Sequence, residues 1–211
     1  MTRLFVAIKI DEGLKEKILE IEKQFSGLGK INFVGRENLH LTLKFLGEQG
    51  EGRNRFPDQS NRNLFQPAHN SVKEMSERIK SVAGKIQPFR ISISGLSFFG
   101  SPNSIRIIFL EVKNGKERVV DMERELNEKL KNFREDDFDP HPHLTIGRVG
   151  FVKDTEKLLG KINSLKDVFV GEMDVKEIFL MKSEFKGTKA TPSLSTSRGP
   201  VYSEVERFGL K

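Results

Sequence analysis

Two of the four histidines begin the same short pattern, and their type and spacing could do chemistry. The segments are His40-Leu-Thr42-Leu and His143-Leu-Thr145-Ile, a repeat expected by chance in roughly one chain of this composition in 150. An imidazole has a pKa of about 6.5, so one histidine can act as a base while the other acts as an acid. Thr hydroxyls can donate to the non-bridging oxygens of a phosphodiester, where charge accumulates in the transition state. The pattern therefore predicts acid–base chemistry on a phosphodiester.

Strand geometry explains the spacing, because residues i and i+2 of a β-strand lie on the same face. The first strand is expected to present polar residues on one face and to bury apolar ones on the other: the former are His40, Thr42 and Lys44, the latter Leu41, Leu43 and Phe45. His143 and Thr145 share a face in the same way. The two copies lie about half the chain apart, which predicts two related lobes that each contribute one copy to a common cleft.

Metal and cofactor chemistry is not expected from this sequence. No Asp/Glu cluster accompanies the two histidines, and the chain has no Walker-type glycine loop. Asp139, His141 and His143 could be read as metal ligands, but three ligands from one short segment make a weak metal site. The reaction that best suits two acid–base groups without a metal is the opening of a ribose cyclic phosphate. In that reaction the nucleophile and the leaving oxygen each need one proton moved.

The pattern along the chain predicts an α+β fold with mainly antiparallel sheets and helices packed on one side. Strands are expected over 3–10, 31–34, 39–46, 89–93, 105–112, from 143, 167–185 and 200–208, and helices over 14–25, 72–86, 119–133 and 158–162. Strands outnumber helices, and the alternation of a doubly wound parallel sheet is missing. The polar stretches 49–70 and 186–198 interrupt the pattern and are interpreted as insertions or lids.

Length and composition limit the remaining possibilities. The 211 residues allow one domain of two lobes, and no apolar run is long enough for a membrane span. The absence of Cys favours a reducing cytoplasm as the compartment of the protein. We also expect the protein to be a monomer. A net charge of +6 suits an anionic partner such as nucleic acid or a phosphorylated small molecule, although it could also serve solubility alone.

The sequence resembles the 2H phosphoesterases and is most similar to the RNA 2′,3′-cyclic phosphodiesterases, also called 2′-5′ RNA ligase-like proteins. The resemblance rests on five segments: Arg3-Leu-Phe-Val-Ala-Ile8, Glu37-Asn-Leu-His-Leu-Thr-Leu-Lys-Phe-Leu-Gly-Glu48, Pro142-His-Leu-Thr-Ile-Gly-Arg148, Met181-Lys-Ser183 and Gly199-Pro-Val-Tyr202. It implies a LigT-like fold of two pseudo-symmetric lobes around an open cleft. It also implies opening of the cyclic phosphate at the 3′-oxygen, with His40 as proton donor and His143 as proton acceptor.

Other residues are assigned to substrate with less support. Thr42 and Thr145 are expected to contact the phosphate. The family pattern gives Arg148 a substrate role, but strict alternation places it opposite His143 unless the strand bulges near Gly147. Lys44 could reach the phosphate or simply face solvent, and Phe5 could stack a base or belong to the core.

Two other functions remain open at this point. The same chemistry with an RNA 5′-hydroxyl in place of water would join tRNA-like fragments as a 2′-5′ RNA ligase. An RNA-binding module could keep the cleft without turnover, although such a module has no need for both histidines.

Overall fold

The computed structural model describes residues 2–49, 71–134, 139–184 and 200–211. Within these ranges there are nine strands: β1 (Thr2–Lys9), β2 (Lys30–Phe33), β3 (His40–Gln49), β4 (Phe89–Ser101), β5 (Ser104–Val112), β6 (His143–Phe151), β7 (Phe169–Val175), β8 (Glu177–Glu184) and β9 (Val201–Gly209). The helices are α1 (Glu12–Lys23), α2 (Ser71–Ala83), α3 (Lys116–Leu130) and α4 (Thr155–Ser164). The predicted insertions 49–70 and 186–198 lie outside the described residues, apart from Gln49 at the end of β3.

The strands form two antiparallel sheets, which confirms the predicted α+β class. The four-stranded sheet has the order β3-β1-β8-β9, and the five-stranded sheet has the order β2-β6-β5-β4-β7. Each sheet combines strands from both ends of the chain, so a lobe is not simply one half of the sequence. The two histidine motifs begin β3 and β6 and therefore lie in different sheets.

Helices cover one face of each sheet, as the amphipathic patterns predict. The helices α2 and α3 pack on the four-stranded sheet, while α1 and α4 pack on the five-stranded sheet. The covered faces share one apolar core, in which Val6, Ile18 and Ile108 are at most 1% exposed. None of the described helices combines the length and the apolar character needed to cross a lipid bilayer. The faces without helices carry the histidine motifs.

Two carboxyl groups are buried within the helical layer. Glu22 of α1 is 8% exposed, and its Oε1 has no hydrogen-bond partner within the described ranges. Glu123 of α3 is 6% exposed. Burial raises the pKa of Glu22 to about 7 and that of Glu123 to about 8, because a charged carboxylate is poorly solvated there. The native state therefore binds more protons than the unfolded chain between about pH 4.5 and pH 8.

The double substitution Glu22→Gln, Glu123→Gln is expected to raise the unfolding temperature at pH 9 by several degrees and to have little effect at pH 4. The native protein loses stability as pH rises through this window, since each carboxyl must ionise where water is excluded, whereas an amide stays neutral. Thermal unfolding across this pH range is the measurement. The exposed pair Glu20→Gln, Glu125→Gln on the same helices is the matched control. An equal gain in the control variant would contradict the prediction.

Candidate active site

The first motif places its histidine by a backbone hydrogen bond just before the strand. The chain makes a 3-10 turn at Arg36–Asn38 and enters β3 at His40. The Nδ1–H of His40 donates to the carbonyl oxygen of Asn38 at 2.6 Å. Because a carbonyl can only accept, this contact places the neutral ring's proton on Nδ1. Nε2 is then the ring nitrogen left to exchange a proton with a substrate.

The second motif repeats this arrangement in the other sheet. The Nδ1–H of His143 donates to the carbonyl oxygen of His141, also at 2.6 Å. The two histidines therefore have the same tautomer, fixed by the residue two positions earlier. Thr42 and Thr145 are half-buried on the same faces as their histidines, and their hydroxyls make no hydrogen bond with any described residue. No described residue therefore competes with a ligand for these two hydroxyls.

A bulge in β6 turns Arg148 toward the histidines. In the pairing with β5, Thr145 lies opposite Phe109 while Gly147 lies opposite Ile108, so Ile146 is an extra residue. The inserted residue shifts the alternation by one position, and Arg148 comes onto the face of His143 and Thr145. The sequence allowed a substrate role for Arg148 only if the strand bulged near Gly147, and the structure has that bulge.

A matching bulge in β3 overturns two sequence expectations. Thr42 pairs with Ala7 and Lys44 pairs with Val6, so Leu43 is the extra residue. Lys44 consequently points away from His40: it is 5% exposed, and its Nζ donates to Oδ1 of Asn127 on α3 at 2.5 Å. The prediction that Lys44 shares a face with His40 and Thr42 is therefore wrong.

Phe45, which was expected in the core, takes the position on the face of His40 and Thr42 instead. It is 51% exposed, and its ring lies 6.2 Å from that of Phe5. Phe45 follows His40 at the same offset along β3 at which Arg148 follows His143 along β6. The two motifs thus contribute an exposed aromatic ring on one side and a guanidinium on the other.

Aromatic side chains hold each imidazole. The ring centroid of His40 lies 5.0 Å from Phe5 and 5.4 Å from Tyr202, and that of His143 lies 4.8 Å from Phe99 and 5.3 Å from Phe109. Phe5 is only 3% exposed and belongs to a small buried apolar cluster separate from the main core, so of its two predicted roles burial is the one the structure supports. It packs against His40 and offers no free face to a base. Such ring contacts restrict the imidazole orientations.

Burial and positive charge lower the pKa of both histidines. Burial is the largest cause for His40, and the charges of Arg148 and His143 add to it, against the opposing effect of the hydrogen bond to Asn38. Burial likewise dominates for His143, with smaller contributions in the same direction from His141 and Arg148, while its own backbone hydrogen bond opposes them. The charge of Arg148 thus acts on both imidazoles, and the charge of His143 acts on His40.

His141, considered from the sequence as a metal ligand, lies beside His143 with 5.8 Å between the ring centroids. Within the described ranges, no three His, Cys, Asp or Glu side chains are grouped so that they could hold a metal ion. Sequence reasoning missed Phe45, Phe99, Phe109 and Tyr202 as site residues. Tyr202 is the only Tyr of the chain and lies in one of the segments that carry the resemblance, which was the one available signal.

Truncation of Tyr202 is expected to test how far these rings position His40. Tyr202→Ala should lower kcat about tenfold, because a displaced imidazole loses its alignment with the reacting oxygen. Tyr202→Phe keeps the ring and should stay within about threefold of the unsubstituted protein. Steady-state rates on a nucleoside 2′,3′-cyclic phosphate give the comparison. Equal losses in both variants would show that the hydroxyl, and not the ring contact, matters.

Comparison with known proteins identifies the family. The sequence profile of the 2′-5′ RNA ligase superfamily matches residues 15–186, and the chain belongs to this superfamily. A protein of Methanothermobacter thermautotrophicus named RNA 2′,3′-cyclic phosphodiesterase is 33% identical over 99% of this chain and 98% of its own. A protein of the same name from Methanocaldococcus jannaschii is 34% identical over 98% and 99%.

Solved structures show the same fold. The structure of TT0787 of Thermus thermophilus superposes with a TM-score of 0.73 at 22% identity, covering 99% of this chain and 97% of the other. Apo LigT of E. coli superposes with a TM-score of 0.67 at 18% identity, with the same coverage. The LigT-like fold expected from the resemblance is therefore confirmed.

Proposed function

We propose that this protein is an RNA 2′,3′-cyclic phosphodiesterase that opens a terminal cyclic phosphate to a 2′-phosphate. The observation that carries the proposal is the pair of histidines with matching tautomers, together with Arg148, whose charge acts on both imidazoles. Full-length relatives at 33% and 34% identity bear the name of this activity. The pairing of an acid with a base suits a reaction in which one proton is removed and one is supplied.

We infer the chemistry from the types of these groups and from the family resemblance. Nε2 of His143 accepts a proton from water as the water oxygen bonds to phosphorus. The bond from phosphorus to the 3′-oxygen breaks, and Nε2–H of His40 gives its proton to that oxygen. The hydroxyls of Thr42 and Thr145 donate to the non-bridging oxygens, and Arg148 offsets their negative charge. The assignment of acid and base follows the family resemblance, since the two histidines are held alike.

Substrate charge adjusts the protonation of the acid. A lowered pKa disfavours the protonated form that His40 needs in order to act as an acid. A phosphodiester anion bound between the histidines raises both pKa values, because an opposite charge favours the imidazolium. The pH dependence of kcat reports the pKa values of the enzyme–substrate complex, and that of kcat/KM reports those of the free enzyme. The pH profile of kcat should therefore lie at higher pH than that of kcat/KM.

An exposed ring beside this site supports a nucleotide as substrate. Phe45 lies on the face of His40 and Thr42 with half of its surface exposed, and the guanidinium of Arg134 lies 6.0 Å from its ring centroid. Bases stack on such rings without regard to sequence, with a contribution of about 1–3 kcal/mol per base. Phe45, rather than Phe5, is the candidate for stacking the terminal base.

The decisive experiment is turnover of a nucleoside 2′,3′-cyclic phosphate in the presence of EDTA, with the product identified as the 2′- or 3′-phosphate. We expect turnover without added metal, and a 2′-phosphate product. Loss of activity in EDTA, a 3′-phosphate product, or retained activity in the His40→Ala, His143→Ala double variant would overturn the proposal. Incubation with an RNA that carries a 5′-hydroxyl separates hydrolysis from 2′-5′ ligation by its joined product. Salt-dependent RNA binding with an unchanged cyclic phosphate would instead indicate a binding module.

A further inference from the structure

A pocket outside the His pair opens directly beside His143. It has a volume of about 240 Å³ and is lined by Glu111, Val112, Lys113, Lys116, His141 and Pro142. Glu111 lies opposite His143 in the pairing of β5 with β6. Pro142 is the residue immediately before His143. The pocket is therefore fixed to the same strand ends that position the second motif.

The pocket is basic. Lys113 and Lys116 contribute two ammonium groups. Of the described residues that line the pocket, only Glu111 carries a carboxylate, and it forms an ion pair with Lys113. Lys116 makes no salt bridge within the described part of the chain. Val112 and Pro142 are buried and form an apolar floor. Among the described residues, the ammonium group of Lys116 therefore has no counter-charge. The neighbouring ammonium group of Lys113 is paired with Glu111 and could also contact a bound anion.

His141 joins this pocket to the catalytic groups. Its ring centroid lies 5.8 Å from that of His143 and 5.2 Å from that of Phe99, so it lines the pocket and also contacts the second histidine. A group held in the pocket and a group held at His143 are therefore near neighbours. Two phosphates of one nucleotide are related in the same way, since a single ribose separates them.

We propose that this pocket binds the 5′-phosphate of the nucleotide whose cyclic phosphate reacts at His40 and His143. The inference rests on the proposed function and makes it more specific, because it selects a nucleotide within an RNA chain over a free nucleoside cyclic phosphate. A lysine ammonium is a compact point charge that binds phosphate without demanding one orientation. Such a contact strengthens substrate binding and transition-state binding alike, so it lowers KM and leaves kcat unchanged.

The test compares a nucleoside 2′,3′-cyclic phosphate that has a 5′-hydroxyl with the same compound bearing a 5′-phosphate. We expect kcat/KM to be about tenfold higher for the 5′-phosphorylated compound, through KM, and the preference to fall as salt rises. The variant Lys113→Gln, Lys116→Gln should lose the preference and keep its rate on the 5′-hydroxyl compound. Glu111→Gln should increase the preference, because it releases Lys113.

A matched control removes the same charge elsewhere. Lys157→Gln, Lys161→Gln lies on α4, which packs on the helical face of the five-stranded sheet, and should keep the full preference. A wild-type enzyme without preference, or a preference that survives Lys113→Gln, Lys116→Gln, would overturn the inference while the proposed function stands.

Absence of turnover on both compounds would overturn the proposed function, and the pocket is then judged by binding alone. Calorimetry with a nucleoside 2′-phosphate, with and without a 5′-phosphate, is the measurement in that case. Tighter binding of the 5′-phosphorylated form that depends on Lys113 and Lys116 supports the pocket. Equal binding of the two compounds rejects it.

Discussion

Replacing either His40 or His143 by Asn is expected to lower kcat for cyclic phosphate opening by about 10²- to 10⁴-fold, with a small change in KM. Asn can still donate to the carbonyl oxygen that now accepts from Nδ1, so the variant keeps the local contact and removes only proton transfer. The loss in the double variant should be smaller than the product of the two single losses, because both transfers belong to one reaction. Steady-state kinetics and the unfolding temperature of each variant are the measurements.

A sulfur-substituted substrate can separate the two proposed roles. With a bridging 3′-sulfur the leaving group is a thiolate, whose conjugate thiol has a pKa of about 8.5 and which leaves without a proton. We expect this substrate to restore most of the rate of His40→Asn and little of the rate of His143→Asn. Rescue of His143→Asn instead would reverse the assignment of acid and base. Rates of both single variants within tenfold of the unsubstituted enzyme would reject catalysis by the pair.

Replacing Arg148 by Gln is expected to have the next largest effect, a loss of about 10²- to 10³-fold in kcat/KM. The guanidinium faces the same site as both histidines, so it can offset the charge that develops on the phosphate oxygens. Its charge also lowers the pKa of both His40 and His143. In Arg148→Gln, kcat/KM should therefore be lower, and its pH profile should move to higher pH.

The lysine variant separates charge from geometry at this position. Arg148→Lys keeps the positive charge and so should keep the pH profile near that of the unsubstituted enzyme, while losing the bidentate contact and part of the rate. Arg124→Gln, exposed on α3 and ion-paired with Asp121, serves as the control for loss of one arginine. A profile that moves equally in the Gln and Lys variants would contradict an electrostatic role for Arg148.

The relation between Lys44 and Phe45 shows how far alternation alone can go. The period of two correctly placed His40 with Thr42 and buried Leu41 and Leu43. It then failed at the next position, because Leu43 is accommodated as an extra residue against β1. A shift of one residue exchanges the two faces of a strand, and its place depends on a partner distant in sequence. The corresponding bulge in β6 brings Arg148 onto the face of His143.

The division of strands between sheets was also beyond the sequence. The apolar region 167–185 indicated extended structure, but it contains two strands, β7 and β8, that belong to different sheets. Pairing partners are chosen by contacts between residues far apart along the chain, and a local pattern does not carry that information. The two histidine motifs lie in different sheets, and each sheet combines strands from both ends of the sequence.

The amino-acid sequence by itself supplied the groups on which the proposed chemistry rests, two histidines and two threonines at a shared offset. It also supplied the strand and helix periods that form an α+β fold. These features are local, because residue type and spacing define them within a few positions. The tertiary structure decided which neighbours join the histidines, with Arg148 and Phe45 brought in, Lys44 turned away and Phe5 buried beneath His40. Only the tertiary structure could decide these neighbours, because register, bulges and sheet order are set by pairing between strands that are distant in sequence.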